Sequence, residues 1–113
     1  MKIAARVLTS LLAAALLPAP AAHAQDDLHE SGRALAQRLC APCHAIGAAQ
    51  RSPNAAAPPF RHLEPRIDLS DLAERMKNGL IAGHPEMPVF VLHDHEARAL
   101  VTYLRSVQND SKH

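Results

Sequence analysis

The feature that most constrains this chain is one motif, Cys40-Ala41-Pro42-Cys43-His44, which contains both cysteines of the 113-residue sequence. Two thiols at this spacing can add to the two vinyl groups of one haem, and the C-x-x-C-H pattern is typical of c-type haem attachment. The histidine is then held beside the iron and can supply its imidazole as an axial ligand. The motif therefore predicts one covalent haem c, with thioether bonds at Cys40 and Cys43 and with His44 on the iron.

Three other uses of two closely spaced cysteines compete with haem attachment. A thioredoxin-like dithiol is typical near a βαβ pattern, and this sequence shows no strand-rich pattern. A structural zinc site takes about four protein ligands, and the chain has no second cysteine pair. A disulfide across so short a loop would stabilise little and would leave His44 without a role. Haem attachment accounts for all three residues, so we prefer it.

Residues 1–24 have the three parts of a secretory signal. Lys2 and Arg6 supply the positive charge, residues 7–17 are almost entirely apolar, and the last three residues, Ala-His-Ala, form a typical cleavage site. The apolar run is shorter than the roughly 20 residues that span a bilayer. We therefore expect a cleaved signal peptide, export to the periplasm and no stable membrane insertion after cleavage.

The remaining segment, residues 25–113, is predicted to be one domain with a marginal core. Its only aromatic residues are Phe60, Phe90 and Tyr103, and so small a chain usually needs a cofactor or a cross-link. Without the two basic residues of the signal, the 12 Lys and Arg fall to 10 against 11 Asp and Glu, a formal charge of −1. That balance argues against a nucleic-acid partner, which would require a basic patch.

Hydrophobic periodicity predicts an all-α chain with three helices and two irregular loops. The helices are expected at about 28–40, at about 69–78 and from Asp94 onward. The two loops, at 45–66 and 79–92, are rich in proline and glycine, which support little regular structure.

A few residues carry specific expectations within these elements. Asp26 and Asp27 are candidate N-caps of the first helix. Gly32 lies inside that helix at a cost of about 1 kcal/mol relative to Ala; it indicates either a close approach by another backbone or ring, such as Tyr103, or only a weak position. Phe60 is the loop residue expected to turn inward.

The second axial ligand decides whether a haem carries electrons or performs chemistry at the iron. Met87 is the preferred candidate because it lies in a loop bracketed by prolines, Pro85-Glu86-Met87-Pro88, which can aim a thioether without helical constraint. Met76 falls on the apolar stripe of the second helix, where a methionine is more often a core residue. The other candidates are histidines, of which His84 is the main rival: His29, His62, His84, His93, His95 and His113.

Methionine and histidine together fill both axial positions and leave no place for a substrate. The sequence therefore predicts a one-electron carrier rather than an enzyme, working with redox partner proteins that it meets transiently. One alternative is a dedicated haem subunit, serving as the acceptor in a dehydrogenase or oxidase complex. Another is a gas-binding or peroxidase-like haem protein, which would need an open distal position.

With these elements in place, the chain resembles the small single-haem class I cytochromes c of the bacterial periplasm. The resemblance covers nearly all of residues 28–108. The matching segments are GRALAQRLCAPCH (32–44), APPF (57–60), GHPEMPVF (83–90) and ALVTYLRSVQ (99–108).

The resemblance implies a fold in which three helices and two loops wrap one covalently bound haem. It implies thioethers at Cys40 and Cys43 and axial ligation by His44 and Met87. Two supporting roles follow from the family pattern. A proline carbonyl accepts the N–H of the His44 ring, with Pro58 fitting best and the adjacent Pro59 as the alternative, and Gly32 packs against Tyr103 or Leu104. The chain departs from many relatives in having no Trp, and its candidate partners for the haem propionates are Arg61, His62 and Arg66.

Overall fold

The computed structural model describes residues 20–79 and 86–110, and it shows a helical chain. The elements are α1 (Pro20–Leu39), a short 3₁₀ helix (Phe60–His62), α2 (Leu69–Lys77) and α3 (Asp94–Asp110). No strand occurs in these two ranges, so the all-α prediction is confirmed. Three features predicted from the sequence lie outside the described residues: most of the signal segment, His84 in the second loop, and His113 in the tail.

Helix α1 starts earlier than the sequence suggested. It runs from Pro20 rather than from about residue 28, so Asp26 and Asp27 lie inside the helix and are not its caps. The physical reason is that the alanines at positions 21, 22 and 24 are strong helix formers, so the helix extends past the two aspartates toward the N-terminus. Residues 20–27 are all exposed, so this added length contributes nothing to the core.

Helices α1 and α3 pack closely against each other at Gly32. A Cβ atom built on this glycine would lie 1.9 Å from the carbonyl oxygen of Ala99 and 3.0 Å from Cβ of Tyr103. Gly32 therefore permits a close backbone approach, which is the first of the two interpretations that the sequence left open. Farther along α3, the Tyr103 hydroxyl donates a hydrogen bond of 2.8 Å to the carbonyl oxygen of Ile46.

Helix α2 has clear start and stop signals. The Asp68 carboxylate accepts hydrogen bonds from the backbone N–H groups of Ser70 and Asp71, at 2.7 and 3.1 Å. After Lys77, Asn78 caps the helix, and Gly79 turns the chain with a φ of 83°, a conformation that glycine adopts without steric cost. The helix ends one residue before the predicted boundary.

The segment after the second loop returns to the end of α2 before α3 begins. The Leu92 N–H donates to the carbonyl oxygen of Met76 at 3.0 Å, and Lys77 Nζ lies 2.9 Å from Asp94 Oδ1. At the start of α3, Glu96 Oε2 accepts the N–H of His93 at 2.9 Å, as in a capping box. These contacts close the base of the loop that carries Met87.

Helix α3 buries apolar residues along most of its length. The buried residues are Ala97, Ala99, Leu100, Val101, Tyr103, Leu104, Val107 and Gln108. The last of these is a polar side chain with 1% exposure. Its amide donates to the carbonyl oxygens of Phe60 and Leu104. Gln108 thereby anchors the 3₁₀ helix, which the sequence did not reveal, to α3.

Across the described ranges, no helix combines the length and the apolar character needed to cross a membrane.

Candidate cofactor-binding site

Several of the residues singled out by the sequence line one cavity of about 340 Å³, whereas Gly32 and Tyr103 are not part of its lining. The volume is within the usual range of ligand pockets. The cavity is lined by residues from α1, α2, α3 and both loops. Apolar side chains make up most of the wall: Leu39, Ala56, Ala57, Pro58, Phe60, Leu63, Ile67, Leu72, Met76, Met87, Pro88, Phe90, Leu100 and Leu104. Cys40, Cys43 and His44 belong to the same lining.

The two cysteines follow directly on the end of α1. The backbone N–H of Cys40 donates to the carbonyl oxygen of Ala36 at 2.9 Å, and the N–H of Cys43 donates to that of Cys40 at 3.1 Å. Cys40 is buried and Cys43 is partly exposed, and both are free thiols. The turn that directly follows α1 thus brings both cysteines into the cavity lining.

Burial raises the pKa of the Cys40 thiol to about 11, because an apolar environment disfavours the thiolate. The nucleophilic cysteine of a redox dithiol needs the opposite shift, toward a lower pKa. The structure therefore weighs against the thioredoxin-like alternative. Within the described ranges, no group of three or more His, Cys, Asp and Glu side chains is arranged to hold a metal ion.

The ring of His44 is held by contacts on two sides. Its Nδ1 atom lies 2.8 Å from the carbonyl oxygen of Pro58, and since a carbonyl oxygen can only accept, Nδ1 is the donor of this hydrogen bond. Phe60 packs beside the ring, with the two centroids 5.3 Å apart. With Nδ1 engaged, Nε2 is the nitrogen that can bind a metal, and such a hydrogen bond orients a ligating histidine and raises its basicity.

Two methionines line the cavity. Met76 extends from α2 and belongs to the buried core, with 6% exposure. Met87 lies in the irregular segment between α2 and α3 and is partly buried. Both methionine side chains therefore line the same cavity as His44. Met76 is carried by a helix, whereas Met87 is carried by irregular backbone.

The described histidines that were considered as the second ligand of the iron do not line this cavity. Among the described residues, His44 is the one histidine in the cavity lining. His29 contacts Ser106 through Nε2 at 3.0 Å, at the interface of α1 and α3. His62, His93 and His95 are exposed.

The polar part of the cavity lining differs from what the sequence suggested. Of the three candidate propionate partners, which the sequence left as equally compatible with solvated surface positions, Arg66 lines the cavity, whereas Arg61 and His62 do not. Arg61 instead donates to the carbonyl oxygen of Gln50 at 2.6 Å. Three further residues, Asn54, Arg75 and Glu86, also line the cavity. Sequence reasoning missed them because a polar residue in a loop or on a helix surface carries no signal of what it faces.

The donor set fits a c-type haem. The cavity is largely apolar, as a porphyrin ring requires. It offers two thiols from a single turn and an imidazole whose Nδ1 is already engaged, and at least one thioether is available. Two arginines in the lining can meet carboxylates, for which the guanidinium group is well suited.

Comparison with known proteins gives a consistent result. Residues 27–104 match the protein family described as cytochrome c oxidase, cbb3-type, subunit III. The cytochrome c-552 of Bradyrhizobium diazoefficiens is 35% identical over 77 residues, which cover 68% of this chain and 72% of that protein. No solved structure matches the chain significantly.

Proposed function

Since the chain belongs to the family of cbb3-type cytochrome c oxidase subunit III and is a small bacterial c-type cytochrome, we propose that it is a periplasmic one-electron carrier with a single haem. In this proposal Cys40 and Cys43 hold the haem covalently, and His44 and Met87 are the axial ligands of its iron. The observation that carries the proposal is the shared cavity, whose lining includes all four residues.

When bound, the haem supplies an iron that accepts and gives up one electron. The chain's own residues set how readily it does so. The Pro58 carbonyl fixes the His44 ring through Nδ1 and makes it a better donor to iron. A thioether from Met87 would favour the ferrous state and raise the reduction potential. The apolar wall limits the access of water, a further influence on the potential.

We prefer Met87 over Met76 as the second ligand of the iron because the two residues lie in different kinds of backbone. Met76 is packed in the core on α2, and its backbone carbonyl accepts the Leu92 N–H, so its position is set by helix packing. Met87 lies in irregular backbone between two loop prolines, where the chain can adapt to a cofactor. Ligands at both axial positions would leave no coordination site for a substrate, which suits a carrier rather than an enzyme.

Export is part of this proposal. The signal-like pattern of residues 1–24 supports it, and so does the exposure of α1 up to Asp27. The buried face of α1 begins at Gly32. Of the described residues, cleavage after Ala24 would therefore remove only the exposed residues 20–24.

A second candidate role is favoured by the family itself, which is described as an oxidase subunit. The chain would then act as a haem module docked on an oxidase rather than as a diffusing carrier. Purification from the native membrane and soluble fractions separates these roles. A fixed stoichiometric partner supports the docked role, and a monomer on gel filtration supports the carrier.

The test of the ligands is an optical spectrum of the exported, haem-loaded protein in both oxidation states. Ferric iron with a methionine ligand has a weak far-red absorption band. We expect this band in the wild type and in Met76→Leu, and its loss in Met87→Leu. His84→Ala tests the rival histidine in the same way.

The opposite pattern would reassign the ligand. If Met76→Leu or His84→Ala loses the low-spin spectrum while Met87→Leu keeps it, Met87 is not bound to the iron. A high-spin wild type that binds carbon monoxide would contradict the carrier role. An intact mass greater than that of residues 25–113 by one haem would support both the cleavage and the number of haems.

A further inference from the structure

We propose that Asn54 and Glu86 form a clasp across the cavity mouth that positions Met87 and resists displacement of this ligand from the iron. The inference rests on the proposed function, in which Met87 binds the haem iron. Its basis is one side-chain contact: Asn54 Nδ2 donates to Glu86 Oε2 at 3.2 Å. Both residues line the cavity, although 32 positions separate them in the sequence.

Asn54 is fixed to the cysteine motif. Its backbone N–H donates to the carbonyl oxygen of Cys43 at 3.1 Å, and its own carbonyl accepts the N–H of Ala57 at 3.0 Å. Its side-chain oxygen accepts the N–H of Ala56 at 2.9 Å. The Ala56 N–H can bond only to the oxygen of the Asn54 side-chain amide, so this contact determines which amide atom is the oxygen. The nitrogen, Nδ2, is then the atom that faces Glu86.

Glu86 immediately precedes Met87 in the second loop. The base of this loop is closed by the Leu92 N–H to the Met76 carbonyl and by the Lys77–Asp94 ion pair. The contact with Asn54 adds an attachment to the cysteine-motif side of the cavity, next to the methionine itself. Asn54 therefore links the segment that carries His44 to the segment that carries Met87.

A link of this kind has a definite effect on ligand exchange. An external ligand can reach the iron only after Met87 has moved away, and the clasp must open if the loop moves with it. Breaking the clasp should then favour the displaced state by roughly the strength of one hydrogen bond, a factor of about three to ten. Asn54 and Glu86 are positioning residues, because neither has to touch the iron.

Imidazole at about pH 8 is a suitable probe because an imidazole ring, with a pKa of about 6.5 in histidine, is then mostly neutral, so a change of charge at the cavity mouth affects its approach little. Its affinity for the ferric, haem-loaded protein is measured by optical titration. Asn54→Asp keeps the oxygen that accepts the Ala56 N–H but replaces the donor with a second carboxylate, so we expect imidazole to bind about three- to tenfold more tightly. Glu86→Ala removes the acceptor and should have a similar effect.

Two further variants separate the hydrogen bond from the charge. Glu86→Gln keeps an acceptor oxygen and should remain close to the wild type. Combining Asn54→Asp with Glu86→Gln exchanges the donor and the acceptor, so the affinity should return toward the wild-type value. Glu30→Gln, an exposed charge change on α1, serves as the control and should have no effect.

The clasp is overturned if Asn54→Asp and Glu86→Ala bind imidazole as the wild type does, or if the exchanged pair fails to restore the wild-type affinity. The far-red band of the unmodified protein keeps the two proposals apart. If the band is present and the imidazole affinity is unchanged in Asn54→Asp and Glu86→Ala, the clasp proposal fails while Met87 ligation stands. If the band is absent, Met87 ligation fails, and the clasp fails with it.

Discussion

Gly32 of α1 lies directly against the carbonyl group of Ala99 in α3, so close that a Cβ atom on the glycine would be 1.9 Å from the oxygen. This contact brings the backbones of the two helices together. The same part of α3 carries Tyr103, whose hydroxyl holds the carbonyl of Ile46, two residues after His44. The close approach of α1 and α3 therefore contributes to the position of the segment that follows the cysteine motif.

Replacing Gly32 with alanine should destabilise the protein despite the better helix propensity of alanine. The propensity gain is about 1 kcal/mol. The added methyl group meets a backbone oxygen that cannot move aside, and we expect a net loss of about 2–3 kcal/mol in the free energy of unfolding. Urea denaturation measures it. Ser31→Ala, at the neighbouring exposed position, should change stability by less than about 0.5 kcal/mol, and equal effects of the two changes would contradict the packing argument.

Gln108→Leu should cost about 1–3 kcal/mol, because backbone groups at the end of the 3₁₀ helix lose the hydrogen bonds of this side chain, although the Leu63 N–H keeps its bond to the Phe60 carbonyl. The Gln108 side chain is buried, and its oxygen accepts the N–H groups of Leu63 and Glu64 at 3.2 and 3.1 Å. Gln37→Leu makes the same chemical change at an exposed position of α1 and should be nearly neutral. Since Phe60 packs against His44, the Gln108 variant should also alter the absorption of the bound haem. A stable variant with an unchanged spectrum would refute this anchoring role.

Tyr103→Phe should lower the free energy of unfolding by about 1–2 kcal/mol, since the carbonyl of Ile46 loses a buried donor. The Tyr103 ring stays in place, so the packing on Gly32 is kept. Thr102→Val removes an exposed hydroxyl from the adjacent position and is the matched control. Thermal denaturation of both variants is the measurement, and a loss in the control as large as that in Tyr103→Phe would contradict the prediction.

The stability contributed by Asp68 should depend on pH. Hydrogen bonds from the N–H groups of Asp71 and Ser70, aided by the charge of Arg105, lower the pKa of this carboxyl below its usual 3.8. A group whose pKa is lowered by folding stabilises the native state above the unfolded pKa, and that contribution is lost as the pH falls through the folded pKa. Asp68→Asn, which can still accept hydrogen bonds, should therefore be less stable than the wild type at neutral pH.

The difference between wild type and Asp68→Asn should shrink once the pH drops below the usual value of 3.8. Urea denaturation at neutral pH and at about pH 3 measures it, because the lower pH lies below the usual pKa of an aspartate, where the contribution of a lowered pKa is being lost. Asp27→Asn, at an exposed position of α1, provides a control for the loss of one charge. A difference for Asp68→Asn that does not change with pH would show that its charge has no part in capping α2.

The helices and the cysteine motif were accessible from the sequence because their signals are local. A repeat of apolar residues marks the buried face of α3, and Asp68 and Gly79 mark the two ends of α2. The start of α1 was misjudged because two adjacent aspartates suggested a cap, whereas the alanines before them continue the helix. Local signals therefore identified the elements more reliably than their ends.

Other features could not be read from the chain because they depend on partners distant in sequence. Glutamine is usually exposed, and Gln108 is buried only because the 3₁₀ segment supplies partners for its amide. Arg75 looks like any charged residue on the exposed face of a helix, yet it lines the cavity. The pattern of apolar residues identifies a helix, but it does not show which other parts of the chain pack against each face of that helix.

By itself, the sequence determined that this is an all-α chain with a c-type haem motif, because five consecutive residues carry that chemistry and helical periodicity carries the fold class. The tertiary structure alone decided which side chains meet. It brought Pro58 to the ring of His44, Ala99 to Gly32, and Asn54 to Glu86. Contacts of this kind depend on how helices and loops approach one another, and close packing fixes that approach for the chain as a whole.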